Sequence, residues 1–148
     1  MTPIERLTTL EEIRSVKARY CRFLDTKDWT GLAGLFTENA VLDVKEDTGQ
    51  DPIVGRDRLI EQIRFAVIHA KSAHQVHAAE IELLDADQAN VVWAMQDRVV
   101  WDEGHSPLAG IKSITGFGHY HEHYVRQQGQ WRIASLKLTR LYVEQHRE

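Results

Sequence analysis

HQVHAAEIELL (residues 74–84), VVWAMQDRVVW (91–101), IKSITGFGHYHEHYVR (111–126) and QWRIASLKLTRLYVE (130–144) fill the second half of the chain and decide its fold class. All four stretches are rich in Val, Ile, Trp and Tyr, the residues that suit a pleated, half-buried surface. Turn clusters separate them, at Asp85-Ala86-Asp87, at Asp102 to Pro107 and at Gln128-Gly129-Gln130. Strands joined this tightly pair antiparallel with their sequence neighbours. The pattern predicts a four-strand meander over residues 74–144.

Upstream, the apolar period is helical. Ile13, Val16, Tyr20, Phe23 and Leu24 recur on one stripe, and the spacing predicts helix from about residue 9 to 36. Thr8 with Glu11, or Thr9 with Glu12, has the spacing of a capping box. Asp25-Thr26-Lys27-Asp28 breaks the pattern, and Asp28 can cap a second helix carrying Trp29, Leu32, Leu35 and Phe36. Val41 to Val44 reads as a short strand and Glu46 to Pro52 as a polar loop. Gly55-Arg56-Asp57 then opens a third helix, over about 56–71, with Leu59, Ile60, Ile63 and Val67 on its buried face. Three helices before a meander make an α+β domain in which the helices cover one face of a curved sheet. Asp25 is left at the C-terminal end of the first helix, where a carboxylate opposes the helix dipole and needs a partner.

Composition narrows the function classes. At 148 residues, with no repeat or linker, the chain is one domain. Net charge is -4 without a basic block, which argues against a nucleic-acid partner. Cys21 is the single cysteine, so an internal disulfide and a Cys-based zinc site are both excluded. No apolar run approaches the roughly 18 residues of a membrane span. Met1 to Arg6 carries Glu5 and no apolar core of a signal peptide. The expectation is a soluble, cytoplasmic protein.

Ala18-Arg19-Tyr20-Cys21-Arg22-Phe23-Leu24-Asp25, then Asp28-Trp29 and Leu35-Phe36-Thr37-Glu38-Asn39-Ala40, resembles the N-terminal signature of the SnoaL-like superfamily. Val54-Gly55-Arg56-Asp57, Gly118-His119-Tyr120 and Gly129-Gln130-Trp131-Arg132-Ile133 agree with it. The resemblance spans nearly the whole chain. It implies the cystatin-like, nuclear-transport-factor-like α+β cone: a barrel of mainly antiparallel sheet wrapped around three helices, with an enclosed apolar cavity. Within that superfamily the chain is most similar to the group of scytalone dehydratase, bile acid dehydratase and hexachlorocyclohexane dehydrochlorinase. Asp25 and His74 match the Asp and His that form a base dyad there. Tyr20 and Arg140 look like the tyrosine and arginine of the bile acid enzyme. The dehydrochlorinase has a lysine where Tyr20 stands, which argues against dehalogenation.

The chemistry is coherent on its own terms. Removing a proton next to a carbonyl near neutral pH needs a base such as histidine, whose ordinary pKa is about 6.5. An Asp accepting from Nδ1 fixes the tautomer and aims Nε2 at substrate. Tyr20 is either a core tyrosine or a donor to a carbonyl oxygen. Arg140 either holds a substrate carboxylate, polarises a second oxygen, or makes a strand-end salt bridge. The resemblance places Phe23, Trp29, Tyr120, Leu136 and Leu138 around the substrate.

His119, His121 and His123 alternate along one strand and so share a face. With His77 they have the count of a metal set, but their parity is opposite to Tyr120. The resemblance turns Tyr120 toward the cavity, which puts the three histidines and His77 on the outer face, so no metal is expected. Trp93, Met95, Trp101 and Trp131 read as core or interface, and Cys21 as packing. The expected function is a cofactor-independent lyase of dehydratase type acting on a small hydrophobic hydroxy-ketone or cyclic alcohol. An isomerase or polyketide cyclase using the same base is the alternative, and a non-catalytic ligand-binding or accessory domain is the third reading. A homo-oligomer, trimer or dimer, is the assembly the resemblance implies.

Overall fold

A computed structural model describes residues 1–147. The first helix, α1 (Pro3–Thr26), starts earlier than the Thr8 or Thr9 cap predicts. Thr2 caps it instead: its hydroxyl accepts from the Glu5 amide at 3.1 Å, and the Glu5 carboxylate accepts from the Thr2 amide at 2.7 Å. Pro3 at the first helical position lacks the N–H that would go unpaired there, and Thr9 is buried inside the helix. Lys27 ends α1 in the left-handed region, φ 61°, and the Asp28 amide closes back on the Phe23 carbonyl at 2.8 Å.

Asp28 caps α2 (Trp29–Ala33) through the Gly31 amide, as its position predicts. The second helix is nevertheless only five residues long. Leu35 and Phe36 leave it, because the Ile133 amide donates to the Leu35 carbonyl at 2.8 Å and Phe36 opens β1 (Phe36–Asp43) beside the last strand. The loop expected after β1 contains one helical turn, α3 (Lys45–Thr48), stopped by Gly49 at φ 72°. β2 (Ile53–Val54) precedes α4 (Arg56–Val67), which ends four residues before the expected 71 because Ala70 already starts β3.

The meander is β3 (Ala70–Asp85), β4 (Gln88–Trp101), β5 (Ile111–Gln127) and β6 (Gln130–Arg147), each paired antiparallel with the next. β6 also pairs parallel with β1, giving one six-stranded sheet of order β2-β1-β6-β5-β4-β3. The sheet is curved and open, with β2 and β3 as its edges, and with the N-terminal helices it forms the α+β cone that the resemblance implies. Ile13, Val16, Tyr20 and Leu24 of α1 pack into a core with Leu32, Phe36, Leu59, Tyr124 and Ile133. One irregularity matters later: β3 shifts register between His77 and Glu80, with Ala78 at φ 48°. Ser72, His74 and Val76 face inward before the bulge, and Ala79, Ile81 and Leu83 after it.

Candidate functional site

The end of α1 and the start of β3 are stapled together, and the staple is the candidate site. Lys27 Nζ donates to the Ala70 carbonyl at 2.6 Å. Two residues earlier, the Asp25 carboxylate takes three hydrogen bonds from β3. Its Oδ1 accepts from Ser72 Oγ at 2.9 Å and meets His74 Nδ1 at 2.7 Å, and its Oδ2 accepts from the His74 amide at 2.8 Å. The carboxylate that opposed the helix dipole thus has its partners. An ionised carboxylate only accepts, so Nδ1 carries the hydrogen and the neutral ring leaves Nε2 as acceptor.

His74 lines a half-open cavity of about 390 Å³. Leu24, Leu42, Ile63, Val67, Val99, Trp101, Leu136 and Leu138 supply apolar wall, and Tyr20, Tyr120, Asp97 and Arg140 supply polar groups. The Tyr20 and Tyr120 rings meet edge to face at 6.0 Å. Burial, and then the negative charge of Glu122, pushes the Tyr20 phenol well above its ordinary pKa, so it is held as an O–H donor. Burial does the same to Tyr120.

The structure adds residues that the sequence reading missed. Asp97 on β4 is 6% exposed, with Oδ2 3.9 Å from His74 Nε2. Arg140 faces Asp97 with two bonds, 2.7 Å from Nη1 and 3.0 Å from Nη2. The other edge of the same guanidinium takes Asp47 of α3, at 2.9 Å from both Nε and Nη2. Burial alone would lower the Arg140 pKa. The hydrogen bonds and charges of the two aspartates outweigh that and hold it above the usual arginine range. Asp97 had a readable signal: it shares strand parity with Val91, Trp93, Met95, Val99 and Trp101, all buried.

Behind the two tyrosines lies a second missed group. Lys17 is fully buried, with Nζ 2.6 Å from Glu122 Oε2 and 3.6 and 3.8 Å from the ring centroids of Tyr20 and Tyr120. Tyr124 donates to the other Glu122 oxygen at 2.8 Å. Burial lowers the Lys17 pKa and the Glu122 charge opposes that shift. A lysine on the stripe Ile13, Val16, Tyr20, Leu24 was the available clue.

Two expected pocket residues are elsewhere. Phe23 lies on the flank of α1 away from the cavity, in a separate groove beside Arg19 and Trp131, with the Arg22 guanidinium 4.6 Å from its ring. One residue along a helix turns a side chain by about 100°, enough to separate Phe23 from cavity-lining Leu24. Trp29, at the start of α2, packs partly buried against the core and does not line the cavity. Conversely Trp101, expected as core or interface, lines the cavity while its indole N–H donates to the Ala66 carbonyl at 2.8 Å.

His119, His121 and His123 alternate against buried Tyr120, Glu122 and Tyr124, on the outer face. His121 Nε2 is 2.9 Å from Thr139 Oγ1, and His123 Nδ1 is 2.8 Å from Asn90 Oδ1. Among the described residues no group of three or more His, Cys, Asp or Glu is placed to hold a metal. Burial pushes the Cys21 thiol up to about 11. No helix among the described residues is long and apolar enough to cross a membrane.

Comparison with known proteins bears on the fold that carries this site. A family profile described as SnoaL-like domain matches residues 5–137. The Probable cyclase FGR4 of Gibberella zeae is 27% identical over 138 residues, covering 88% of this chain and 89% of its own. Two solved structures share the fold. The Kfla4162 protein of Kribbella flavida superposes with TM-score 0.83 at 23% identity, covering 94% of this chain and 95% of its own. Hexachlorocyclohexane dehydrochlorinase LinA-type3 of Novosphingobium barchaimii superposes with TM-score 0.81 at 18% identity, covering 98% and 94%.

Proposed function

The chain belongs to the SnoaL-like domain family, and from that premise we propose that it is a cofactor-independent lyase removing water from a small hydrophobic hydroxy-ketone or cyclic alcohol. The observation that carries this reading is the 2.7 Å contact between Asp25 and His74 Nδ1 with the His74 ring at the cavity wall. Nε2 takes a proton from the carbon next to a carbonyl. Asp25, with Asp97 3.9 Å from Nε2, stabilises the imidazolium that forms. Tyr20 donates to the carbonyl oxygen as charge builds there. The imidazolium then returns its proton to the leaving hydroxyl: the C–H and C–O bonds break, a C=C bond forms, and water departs.

Arg140 has a different role from holding a substrate carboxylate. It is the fixed charge that pairs with Asp97 and holds it in place beside the base. A polyketide-type cyclisation or an isomerisation would use the same base with nothing leaving, and the name of the 27% identical relative favours keeping that reading beside the first. A homo-oligomer belongs to the proposal too, supported by Leu141 and Tyr142 standing exposed on β6 with Tyr142 stacked on Phe117.

The test is incubation with a panel of β-hydroxyketones and cyclic alcohols, followed by mass spectrometry. Loss of water, abolished by His74→Ala, is the expected result. Unchanged mass with altered absorbance assigns the isomerase or cyclase reading. Full activity in His74→Ala on any substrate found refutes the base.

A further inference from the structure

Arg140 is the single Lys or Arg among the described residues that line the cavity, and every N–H of its guanidinium is already engaged. Asp47 takes Nε and one Nη2 hydrogen, and Asp97 takes the other Nη2 hydrogen and one from Nη1. Met95 Sδ lies 3.7 Å from Nη1 and receives the last. Three carboxylates contact Arg140: Asp97 and Asp47 on the guanidinium and Glu46 on the backbone amide. The two aspartates differ in how firmly they are held. Asp97 sits mid-strand at 6% exposure, whereas Asp47 belongs to a one-turn helix on the cavity rim and its side chain is 29% exposed.

We propose that Asp47 is a specificity-determining residue: its carboxylate occupies the edge of Arg140 that an acidic ligand would take, and so bars carboxylates from the cavity. The guanidinium fork matches a carboxylate in both spacing and charge. The chain fills that fork with its own α3 and leaves an incoming anion only acidic neighbours. The ligand class is therefore uncharged: an alcohol or ketone in place of the matching acid. This deepens the proposed function, since it rests on the same cavity being the ligand site, but it concerns binding alone.

The experiment is a pair of probes on one scaffold, 2-naphthylmethanol and 2-naphthoate, titrated by calorimetry into the wild-type chain and three variants. In the wild type the alcohol binds at least about tenfold more tightly than the carboxylate, the scale of one charge-assisted contact. Asp47→Ala frees one edge of Arg140 and should raise carboxylate affinity about tenfold or more while leaving the alcohol within about twofold. Asp47→Asn keeps one acceptor on the fork and should give a smaller gain. Asp51→Ala makes the same change in net charge on the same loop, at a side chain 91% exposed and paired with Lys45, away from Arg140. It should give no gain.

Because the expected readout is a gain, a misfolded variant cannot imitate it. Equal wild-type affinities, no gain in Asp47→Ala, an equal gain in Asp51→Ala, or no binding of either probe to any protein would each overturn the proposal. The test needs no turnover. Absence of water loss in the substrate panel with the charge preference intact retires the lyase reading and leaves this one standing.

Discussion

Asp25→Asn changes one oxygen to nitrogen at the centre of the staple, and its consequence can be worked out bond by bond. The carboxylate accepts from Ser72 Oγ, His74 Nδ1 and the His74 amide. An amide has one acceptor end and one donor end. If its oxygen stays toward Nδ1, its NH2 confronts the His74 backbone N–H at the 2.8 Å spacing, donor against donor. If it flips, its oxygen satisfies that N–H and its NH2 donates to Nδ1 and to Ser72 Oγ. The flip keeps more bonds and should prevail. It obliges Nδ1 to accept, which moves the ring hydrogen to Nε2 and leaves the cavity-facing nitrogen unable to take a proton.

The expected stability cost is about 1–2 kcal/mol, the low end for a disturbed hydrogen-bond set at a carboxylate that retains 22% exposure. That corresponds to a fall in Tm of roughly 2–8 °C for a chain of this size. The rate of any His74-dependent reaction should fall about 10²- to 10⁴-fold, the range for losing a general base or its tautomer. Nitrogen-15 NMR of the His74 ring reads the tautomer without a substrate. A ring that keeps its hydrogen on Nδ1 in Asp25→Asn, with the reaction rate within a few-fold of wild type, would refute this account.

Further expectations concern the groups around the dyad. Lys17→Met strands Glu122 without its partner and should cost about 3–5 kcal/mol, whereas Lys17→Met with Glu122→Leu should recover most of it; denaturant titration of both decides. Gly116 lies under the Arg140–Asp97 pair, where an added Cβ would lie 2.6 Å from Asp97 Oδ1 and overlap Arg140 Nη1. Gly116→Ala should therefore cost about 1–3 kcal/mol by displacing that pair, seen as a lowered thermal midpoint. Cys21 holds its proton up to about pH 11 when folded, while an unfolded thiol releases it near its ordinary 8.5. The unfolded chain then binds fewer protons in that window, so this thiol makes stability fall as pH rises from about 9 to 11. Cys21→Ser should flatten that part of the stability curve, and iodoacetamide should label native Cys21 far more slowly at pH 8 than the urea-unfolded chain.

The meander was legible because its strands carry strong β formers and short turns, and β3 to β6 extend each predicted stretch by a few residues at most. Helix boundaries were less so. Thr2-Pro3 with Glu5 is a better cap than Thr8 or Thr9, and Phe36 left its helical stripe because β6 offered a backbone partner 97 residues away, at Ile133. Asp25 and His74 could be paired only through the family resemblance, since 49 residues separate them and no local pattern links them. The missed residues broke a pattern that was itself legible: Lys17 on an apolar helix stripe, Asp97 on the buried parity of a strand. Asp47 left no such mark, because an acidic residue in a polar segment is ordinary, and its meaning comes from Arg140 reaching it across 93 positions. Phe23 failed for the reverse reason: its spacing fits the apolar stripe, but its side chain, one position before Leu24, turns to the flank of the helix and into the separate groove.

The bulge in β3 bears on how the molecule behaves in a crowded solution. β3 is sixteen residues long and forms an open margin of the sheet, whereas β2 at the opposite margin has only two. A flat margin of that length would be a template on which other chains could add strands and grow aggregates. The irregularity at Ala78 divides it into two shorter pieces of different inward parity, so an added strand in register with one piece is out of register with the other. The same residue that lets one strand present His74 before it and Ile81 after it therefore also limits the chain's capacity to polymerise.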